Sequence, residues 1–287
     1  MQPRIPKRII QVWCPPAGKD AELSILQRAS ALNIKLLNPD FEYLFFDNKK
    51  VDEFFGSEYP EYRKTFESFE FPIQKFDFFR YLAIYRYGGF YFDLDVFLAS
   101  GLSSLLDFEC VFSFEELNRN RFLRQHYGMD WDVGNYAFGA AAGHPFLKAV
   151  IENCVRAQKD PGWVKPMMQG IPRFLYPEFL ILNTTGPTAV SRTLVENPEL
   201  AKRVTVLFPD DVCDPRNRHH FGDFGIHLMS GSWRNHYGWV MRRLVWMWRV
   251  WTWHKLMKAS SKLGKTRPLV ASGRPSGRNR VQVYAKS

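Results

Sequence analysis

The sequence predicts an α/β fold with a mostly parallel central sheet flanked by helices, in a single domain. The chain has 287 residues, enough for one large α/β domain, and its hydrophobic content of 46% is that of a globular protein. Short β-prone runs alternate with helical patterns in the first half, which is typical of strands joined by crossover helices. No internal repeat is visible, and no apolar window approaches the ~18 residues of a membrane-spanning helix.

The elements are predicted in a regular order along the chain. Leu23, Leu26 and Ala29 have the spacing of one helix face, so we expect a helix after the first strand. Residues 118–132 are polar and irregular, which predicts a loop. The predicted strands cover residues 5–13, 41–46, 90–96, 110–114 and 136–140, and the predicted helices cover residues 20–33, 72–87 and 145–156, with further helical material up to about residue 70.

The helix predicted at residues 72–87 carries an acid and a guanidinium group. Pro72 fits a first helical turn, where its missing N–H costs nothing, and the two glycines after the helix can end it. Asp77 and Arg80 are three residues apart and are therefore neighbours on one helix face. They could form a surface pair of little energetic weight, but their position just before an acidic strand favours a functional role.

The β-prone run at residues 90–96 is the most informative stretch of the sequence, because it contains two aspartates. Alternate side chains of an extended strand share a face, so Tyr91, Asp93 and Asp95 are predicted to point one way. The residues predicted to point the other way, toward a core, are Phe90, Phe92, Leu94 and Val96. Two carboxylates this close repel each other unless a cation lies between them. Mn²⁺ or Mg²⁺ fits, because a hard cation prefers oxygen ligands. A strand that ends in solvated acids is the alternative.

Five blocks of the chain, taken together, resemble one enzyme family. They resemble the glycosyltransferases with a DXD nucleotide-sugar site, and most closely glycosyltransferase family 32, which includes fungal mannosyltransferases and bacterial capsular polysaccharide transferases; the clostridial glucosylating toxins carry a related core. Ile10 stands where the family often has histidine. The resemblance implies a GT-A-like fold. The blocks lie in order at residues 5–13, 73–96, 135–146, 185–187 and 227–233.

The resemblance implies a divalent metal centre. Asp95 is expected to be a direct ligand, whereas Asp93 is expected to bind through water or to contact the ribose, and His227 is expected to complete the metal shell. An imidazole is an acceptable ligand for Mn²⁺ beside carboxylates. A lone histidine more often has a structural role, so the expectation that His227 is a metal ligand depends on its place in the fifth block. His219 and His220 have no such support and are predicted to be solvated.

The resemblance also implies contacts to a nucleotide sugar. Asp77 and Arg80 are expected to contact the hydroxyls of the donor sugar. Trp13 is expected to stack on the base and Tyr91 to contact the ribose, although both also fit roles in the core. Asn135 is expected to reach the donor sugar or the acceptor, with a role in a turn as the alternative.

Two residues of the last block are expected to close over the donor. Ser232 and Trp233 would cover the diphosphate as part of a mobile lid that excludes water. The implied activity is transfer of a hexosyl unit from a UDP- or GDP-sugar to a hydroxyl of a saccharide or lipid-linked acceptor, with retention of configuration. One alternative is a haloacid-dehalogenase-like phosphatase, although Phe97 stands where such enzymes place threonine or valine. The other alternative is a non-catalytic protein that binds membranes or nucleic acid.

The C-terminal part of the chain accounts for the whole net positive charge of +10. Residues 234–287 hold 13 Lys and Arg and no acid, so the remainder has 26 basic and 29 acidic residues, a net charge of −3. We predict a catalytic domain at residues 1–236, a Trp/Arg-rich helix at 237–259 and a disordered basic tail at 260–287. The helix fits either an anionic membrane surface or packing on the domain. Nucleic acid is not expected, because no recognition motif accompanies the charge.

The cysteines and the chain start complete the predictions. The four cysteines, at positions 14, 110, 154 and 213, form no Cys-x-x-Cys pair, which argues against a zinc site and favours buried free thiols. No signal peptide or N-terminal anchor is expected, because no apolar run precedes the first predicted strand. The sequence therefore predicts a cytoplasmic protein, which would be peripheral on the inner face of the membrane if the basic segment binds lipid.

Overall fold

The structure is a computed structural model of the 287-residue chain. It describes residues 4–15, 22–209 and 218–229, together with residues 212, 214, 216, 243, 245, 247, 248, 250–252, 255 and 256. In these parts of the chain, no helix combines the length and the apolar character needed to cross a bilayer.

Strands and helices alternate through the first half of the chain. The strands are β1 (Arg8–Val12), β2 (Glu42–Phe46), β3 (Gly89–Phe92), β4 (Val96–Leu98), β5 (Cys110–Leu117), β6 (Trp131–Ala140), β7 (Thr205–Leu207), β8 (His220–Phe221) and β9 (Gly225–His227). The helices are α1 (Ile25–Leu37), α2 (Asn48–Ser57), α3 (Pro60–Ser68), α4 (Pro72–Tyr87), α5 (Arg121–Tyr127), α6 (Pro145–Lys159), α7 (Pro161–Val164), α8 (Tyr176–Thr184), α9 (Pro187–Glu196) and α10 (Pro198–Ala201).

Among the described residues, six strands form a central sheet in the order β2-β1-β3-β6-β5-β7. Strand β6 runs antiparallel to both of its neighbours, whereas the other pairs are parallel. Five of the six strands therefore point the same way, and the predicted fold class, a mostly parallel α/β sheet flanked by helices, is confirmed. The carboxyl ends of β1 and β3 meet at one edge of this sheet, where α/β folds commonly bind ligands.

Side chains of β3 alternate between the two faces of the sheet, as the sequence predicts for this part of the run. Tyr91 packs in the cluster that includes the buried residues of α4 and α6, whereas Phe90 and Phe92 pack in the cluster on the opposite face. A second, antiparallel sheet has the order β4-β9-β8 within the described chain. Phe221 of β8 meets Phe92 edge to face at 5.7 Å, so the small sheet packs against this second cluster.

Local signals explain where the helices begin and end. The side chain of Ser24 accepts a hydrogen bond from the backbone of Gln27, so α1 begins at residue 25, later than predicted. Pro72 occupies the first turn of α4, as predicted, and the helix ends at Gly88, whose φ is 65°.

The predicted loop at residues 118–132 contains a helix, so this prediction was wrong. The side chain of Asn120 caps α5 by accepting a hydrogen bond from the backbone N–H of Leu123. Gly128 ends the helix in the left-handed conformation. Both capping residues were visible in the sequence, but the helix is only seven residues long and gives little periodicity.

Gly89 joins α4 to the strand that leads into the acidic motif, and we expect Gly89→Ala to be strongly destabilising. Its φ is 103°, and a Cβ atom there would lie 2.5 Å from the carbonyl oxygen of Arg8. Backbone strain and the clash with β1 should together lower the free energy of unfolding by about 2–4 kcal/mol, measured by urea denaturation. The control is Gly143→Ala, because Gly143 has a φ of 69° but no atom within 4 Å of the added Cβ. Equal losses for both variants would contradict the role assigned to the close approach.

Candidate functional site

The two aspartates of the motif lie in a turn and not in one continuous strand, so the predicted strand at residues 90–96 was wrong in its second half. Strand β3 ends at Phe92, and the backbone N–H of Val96 donates to the carbonyl of Asp93 at 3.1 Å. The chain then enters β4, which belongs to the second sheet. Asp93 and Asp95 still lie close together, because the turn holds them at the carboxyl end of β3.

His227 lies beside the two aspartates, as the resemblance implied. Asp93, Asp95 and His227 each offer a ligand atom within 4.8 Å of the others. Strand β9 brings the histidine there, since Val96 pairs with His227 and the N–H of Leu228 donates to the carbonyl of Asp95 at 2.9 Å. These two carboxylates and one imidazole are a donor set that fits Mn²⁺ or Mg²⁺.

The charge state of His227 follows from its neighbours. Burial alone would lower its pKa, but the hydrogen bond to Asp95, with Nε2 2.9 Å from Oδ1, outweighs this effect and raises the pKa. Its ring stacks on Tyr136 at 4.5 Å. His227 is therefore an imidazolium paired with Asp95, and its Nε2 could bind a metal ion only after losing the proton.

Arg80 and Asp77 form a buried network and not a surface pair. Arg80 is 3% exposed and its guanidinium lies 3.2 Å from Asp77 and 3.1 Å from Asp93. It also donates to the backbone carbonyl of Asn135 at 2.9 Å and lies over the ring of Tyr91 at 4.6 Å. Burial alone would lower the pKa of Arg80, but the carboxylate of Asp93 contributes most to raising it. Helix α4 thus places the buried guanidinium of Arg80 in contact with Asp93 of the acidic motif.

Asp77 is held by neutral donors as well as by Arg80. The amide of Asn135 and the hydroxyl of Thr185 each donate to its carboxylate at 3.0 Å. Burial raises its pKa to about 7, against the opposing effect of Arg80. Asn135 also donates to the hydroxyl of Tyr81 at 2.9 Å. Asn135 therefore has a role in positioning Asp77, and a contact to a sugar stays a prediction.

Tyr91 and Trp13 lie at the same edge of the sheet as the acids. The hydroxyl of Tyr91 donates to Asp93 at 2.8 Å, and burial raises its pKa. Trp13 follows β1 directly, is half-buried, and its backbone N–H donates to Phe46 at 2.9 Å. Because β1 and β3 are parallel neighbours, Trp13 lies beside the end of β3. Its predicted stacking on a base, and the predicted contact of Tyr91 with a ribose, stay predictions.

Some predicted residues cannot be placed, and one was placed wrongly. Ser232 and Trp233 lie outside the described residues, as does the tail at 260–287. His219 is not solvated as predicted. It is 9% exposed, its Nδ1 lies 3.3 Å from Glu115, and its carbonyl accepts from the backbone N–H of His227 at 3.0 Å. His220 is half-buried in β8.

The structure also adds contacts that the sequence did not signal. Thr185 donates to the carboxylate of Asp77 from 108 positions later in the chain, and Tyr81 of α4 accepts from the amide of Asn135 across 54 positions. Thr185 lies in the fourth block of the resemblance, but the block did not indicate its partner. The stacking of Tyr136 on His227 depends on β6 and β9 meeting in space, which spacing in the sequence does not show.

Described residues from 243 to 256 contact the body of the protein. Val245 packs in a cluster with Leu175 and Phe179, and Thr252 accepts a hydrogen bond from Arg119 at 3.3 Å. Trp251 is 54% exposed with the ammonium of Lys255 3.5 Å from its ring. The predicted helix boundaries at 237–259 extend beyond the described residues, and neither membrane contact nor the three-part domain division is tested by these contacts.

A cavity separate from the acidic cluster lies between β6, α8 and the C-terminal residues. Its volume is about 20 Å³, which is room for about one water molecule. Its lining combines charged and amide groups with apolar side chains; the residues are Glu116, Arg119, Asn120, Asp132, Phe179, Leu182, Thr188 and Trp248.

Asp132 in this cavity should give the stability of the protein a pH dependence. Burial raises its pKa to about 8, well above the ordinary value of ~3.9. The folded protein therefore keeps a proton that the unfolded chain releases, so this group lowers stability progressively as pH rises from about 4 to 8. Asp132→Asn removes this dependence. Its stability relative to the unaltered protein should increase by about 1–3 kcal/mol between pH 5 and pH 8 in urea denaturation.

The matched control for this prediction is Asp107→Asn, because Asp107 is exposed. A pH trend for the control equal to that of Asp132→Asn would show that burial of Asp132 is not the cause.

Comparisons with known proteins agree with the geometry of the acidic cluster. The family described as glycosyltransferase sugar-binding region containing DXD motif matches residues 27–112, which include α4, the acidic turn and β4. Residues 27–112 are a DXD-motif glycosyltransferase region. The family resemblance predicted from the sequence is therefore confirmed, and the α/β architecture agrees with the GT-A-like class it implied.

Two fungal relatives illustrate the similarity of this glycosyltransferase region. Inositol phosphoceramide mannosyltransferase 3 of Schizosaccharomyces pombe is 28% identical over 191 residues, 65% of this chain and 44% of the relative. Mannosyl phosphorylinositol ceramide synthase CSH1 of Saccharomyces cerevisiae is 31% identical over 155 residues, 54% of this chain and 34% of the relative. The chain thus spans about half or less of the length of these relatives. The solved PaToxG glycosyltransferase has 16% identity and a TM-score of 0.49, with 70% of this chain and 73% of that chain covered.

Proposed function

We propose that this protein transfers a hexosyl unit, mannose in the first instance, from a nucleoside diphosphate sugar to an acceptor hydroxyl. The cluster of Asp93, Asp95 and His227 carries the proposal, because a two-carboxylate, one-imidazole set at the carboxyl end of a central strand suits a cation that holds a diphosphate. The choice of mannose is supported by the names of the fungal relatives.

Asp95 and His227 would hold the divalent cation, Mn²⁺ or Mg²⁺, and Asp93 would bind it through water or contact the ribose. A bound cation neutralises the charge that develops on a departing diphosphate. Asp93 is fixed for this purpose by Arg80 and Tyr91, so its orientation does not depend on the ion. The donor nucleotide is UDP or GDP in this proposal, and Trp13 is the stacking partner of its base.

Asp77 and Arg80 would recognise the hydroxyls of the donor sugar. A carboxylate accepts hydrogen bonds and a guanidinium donates them in a fixed fork, so together they distinguish hydroxyl positions. Asn135 and Thr185 keep Asp77 in place by donating to its two oxygens. We propose retention of configuration, with the leaving phosphate as the group that takes the acceptor proton.

The acceptor in this proposal is lipid-linked. The names of the relatives support an inositol phosphoceramide type of acceptor, and the tryptophans and basic residues after residue 237 suit an anionic bilayer surface. Exposed Trp251 with its neighbour Lys255 is the described part of that surface.

A thermal-shift panel tests the donor and the metal together. The full chain is heated with GDP-mannose, UDP-glucose or UDP-galactose, each with Mn²⁺, with Mg²⁺ and with a chelator. One nucleotide sugar should raise the melting temperature by several degrees only when a cation is present, because ligand at 100 times its Kd adds about 2.7 kcal/mol. No shift with any combination would reject the proposal.

The same protein sample separates the two alternatives. A haloacid-dehalogenase-like phosphatase would hydrolyse p-nitrophenyl phosphate with Mg²⁺ in the absence of any nucleotide sugar. A non-catalytic binding protein would show neither that hydrolysis nor a donor-dependent shift, and it would bind anionic vesicles or nucleic acid instead.

A further inference from the structure

We infer that one face of the protein lies on an anionic lipid bilayer and holds the Asp77 network a short distance above the lipid. This face, the bilayer face, consists of Arg173, Phe174, Tyr176, Met247, Trp251 and Lys255. The inference deepens the proposed function, on which its statement about the acceptor rests. The basic segment after residue 237 supplies only half of the face, and the body of the protein supplies the other half.

The helical residues described between 243 and 256 have one exposed side and one buried side. Residues spaced by four share a stripe of a helix, and the four exposed ones are Arg243, Met247, Trp251 and Lys255. Val245 and Leu256 are buried on the other side, where Val245 packs with Leu175 and Leu256 with Leu117. Packing on the body therefore uses one side of this helix and leaves a basic and apolar side in solvent.

The second half of the face lies beside this helix. Leu175 shares a hydrophobic cluster with Val245, which joins the two segments. On either side of Leu175, Phe174 and Tyr176 are 37% and 43% exposed, whereas Met247 and Trp251 on the helix are 52% and 54% exposed. Large apolar side chains that are exposed together mark an interaction surface, because covering them removes apolar area from water.

The charges of the two segments favour a lipid surface as the partner. Residues 161–177 and 234–287 contain no aspartate or glutamate, and Arg173 and Lys255 are exposed beside the aromatic rings. Tryptophan and tyrosine prefer the interface of a bilayer, and Lys and Arg are attracted to anionic head groups. A second copy of this chain on the same face would bring like charges together, since a two-fold contact pairs a surface with itself.

Helix α8 limits the distance between the bilayer face and the proposed sugar site. It begins at Tyr176, on the face, and ends at Thr184. The next residue, Thr185, donates to Asp77 at 3.0 Å. The rise of a helix from residue 176 to residue 185 is about 14 Å, so the Asp77 network lies about that far from the face at most, plus the length of a side chain. A hydroxyl on the headgroup of a membrane lipid is within that reach, whereas the end of a long glycan would lie beyond it.

Vesicle co-sedimentation of the full chain tests the inference, with vesicles of phosphatidylcholine alone or mixed with phosphatidylglycerol. We expect binding to the mixed vesicles, which weakens as salt screens the charges. Arg173→Gln should weaken this binding about fivefold, whereas Arg173→Lys should stay within about twofold. Phe174→Ala and Trp251→Ala should each weaken it about 10-fold, because each removes apolar area that the bilayer covers.

The matched controls are Leu36→Ala and Arg28→Gln on α1, which contacts β4 through Ser30. Leu36 is 69% exposed and the side chain of Arg28 is 57% exposed, so each loses a group as accessible as those of the bilayer face. Equal losses for the controls would overturn the inference. Losses for Trp251→Ala alone would overturn it too, because residues 173–176 would then not touch the lipid.

Two further results decide the partner and the link to the proposed function. Absence of binding to mixed vesicles, or tighter binding to single-stranded RNA than to those vesicles, would overturn the inference. The thermal shift with nucleotide sugars is measured on every variant. A donor shift that persists without vesicle binding rejects only the bilayer face. Vesicle binding without any donor shift rejects the proposed function and the acceptor assignment with it, and retains the bilayer face.

Discussion

Asp95→Asn should abolish metal-dependent transfer with little loss of stability. The variant keeps the size of the side chain but removes the charge of the carboxylate that pairs with His227 at 2.9 Å. Loss of a direct metal ligand should weaken metal binding at least as much as loss of a residue that only hydrogen-bonds to a ligand. The affinity for Mn²⁺ should therefore fall by about 100-fold or more. Loss of the Lewis acid should lower kcat/KM by about 10³-fold, which corresponds to several kcal/mol of transition-state stabilisation.

Mn²⁺ binding is measured by electron paramagnetic resonance and transfer by release of nucleoside diphosphate. Asp223→Asn is the control, because it removes an exposed carboxylate two residues before β9. If Asp95→Asn retains Mn²⁺ affinity within threefold of the unaltered protein, Asp95 is not a ligand. If the control loses as much affinity, the effect is one of overall charge and not of the site.

Arg80→Met should destabilise the fold severely, by about 3–5 kcal/mol in urea denaturation. Arg80 is 3% exposed and lies between two carboxylates, Asp77 at 3.2 Å and Asp93 at 3.1 Å. Without the guanidinium both acids remain buried and lose their counter-charge. The loss should shrink at low pH, because protonation removes the uncompensated charge, and burial already raises the pKa of Asp77 to about 7.

A second variant separates charge from packing. Arg80→Met combined with Asp77→Asn should recover part of the lost stability, because one of the two uncompensated acids is neutralised. Arg63→Met is the matched control, since Arg63 pairs with Asp52 on the surface at 2.6 Å and the exposed fractions of the two side chains are 35% and 71%. An exposed pair of this kind contributes about 0–1 kcal/mol. A loss for Arg80→Met no larger than the control would contradict the buried network.

The acidic motif shows which structural features residue spacing predicts correctly and which it does not. Alternation predicted the faces of Phe90, Tyr91 and Phe92 correctly, because each is paired in a sheet with period two. It failed at Asp93 and Asp95, where the chain turns between two sheets. The turn is set by the pairing of β4 with β9, which lies about 130 residues later in the chain, and no local pattern encodes that pairing.

The Asp77 network shows the same limit from another side. The helical spacing of Asp77 and Arg80 was sufficient to make them neighbours. Their burial depends on β6 and on the connection between α8 and α9, which bring Asn135 and Thr185 to the carboxylate. Sequence proximity alone could not distinguish a weak surface pair from a buried one, since that difference depends on what covers the helix.

The sequence by itself determined the α/β class, the residues of the acidic cluster and the family, because these follow from short-range patterns of polarity and from the order of the blocks. Only the tertiary structure decided that the aspartates lie in a turn, that His219 is buried and that a cavity opens beside Asp132. Each of these depends on contacts between segments far apart in the chain, and the free energy of such contacts comes from what the fold buries together.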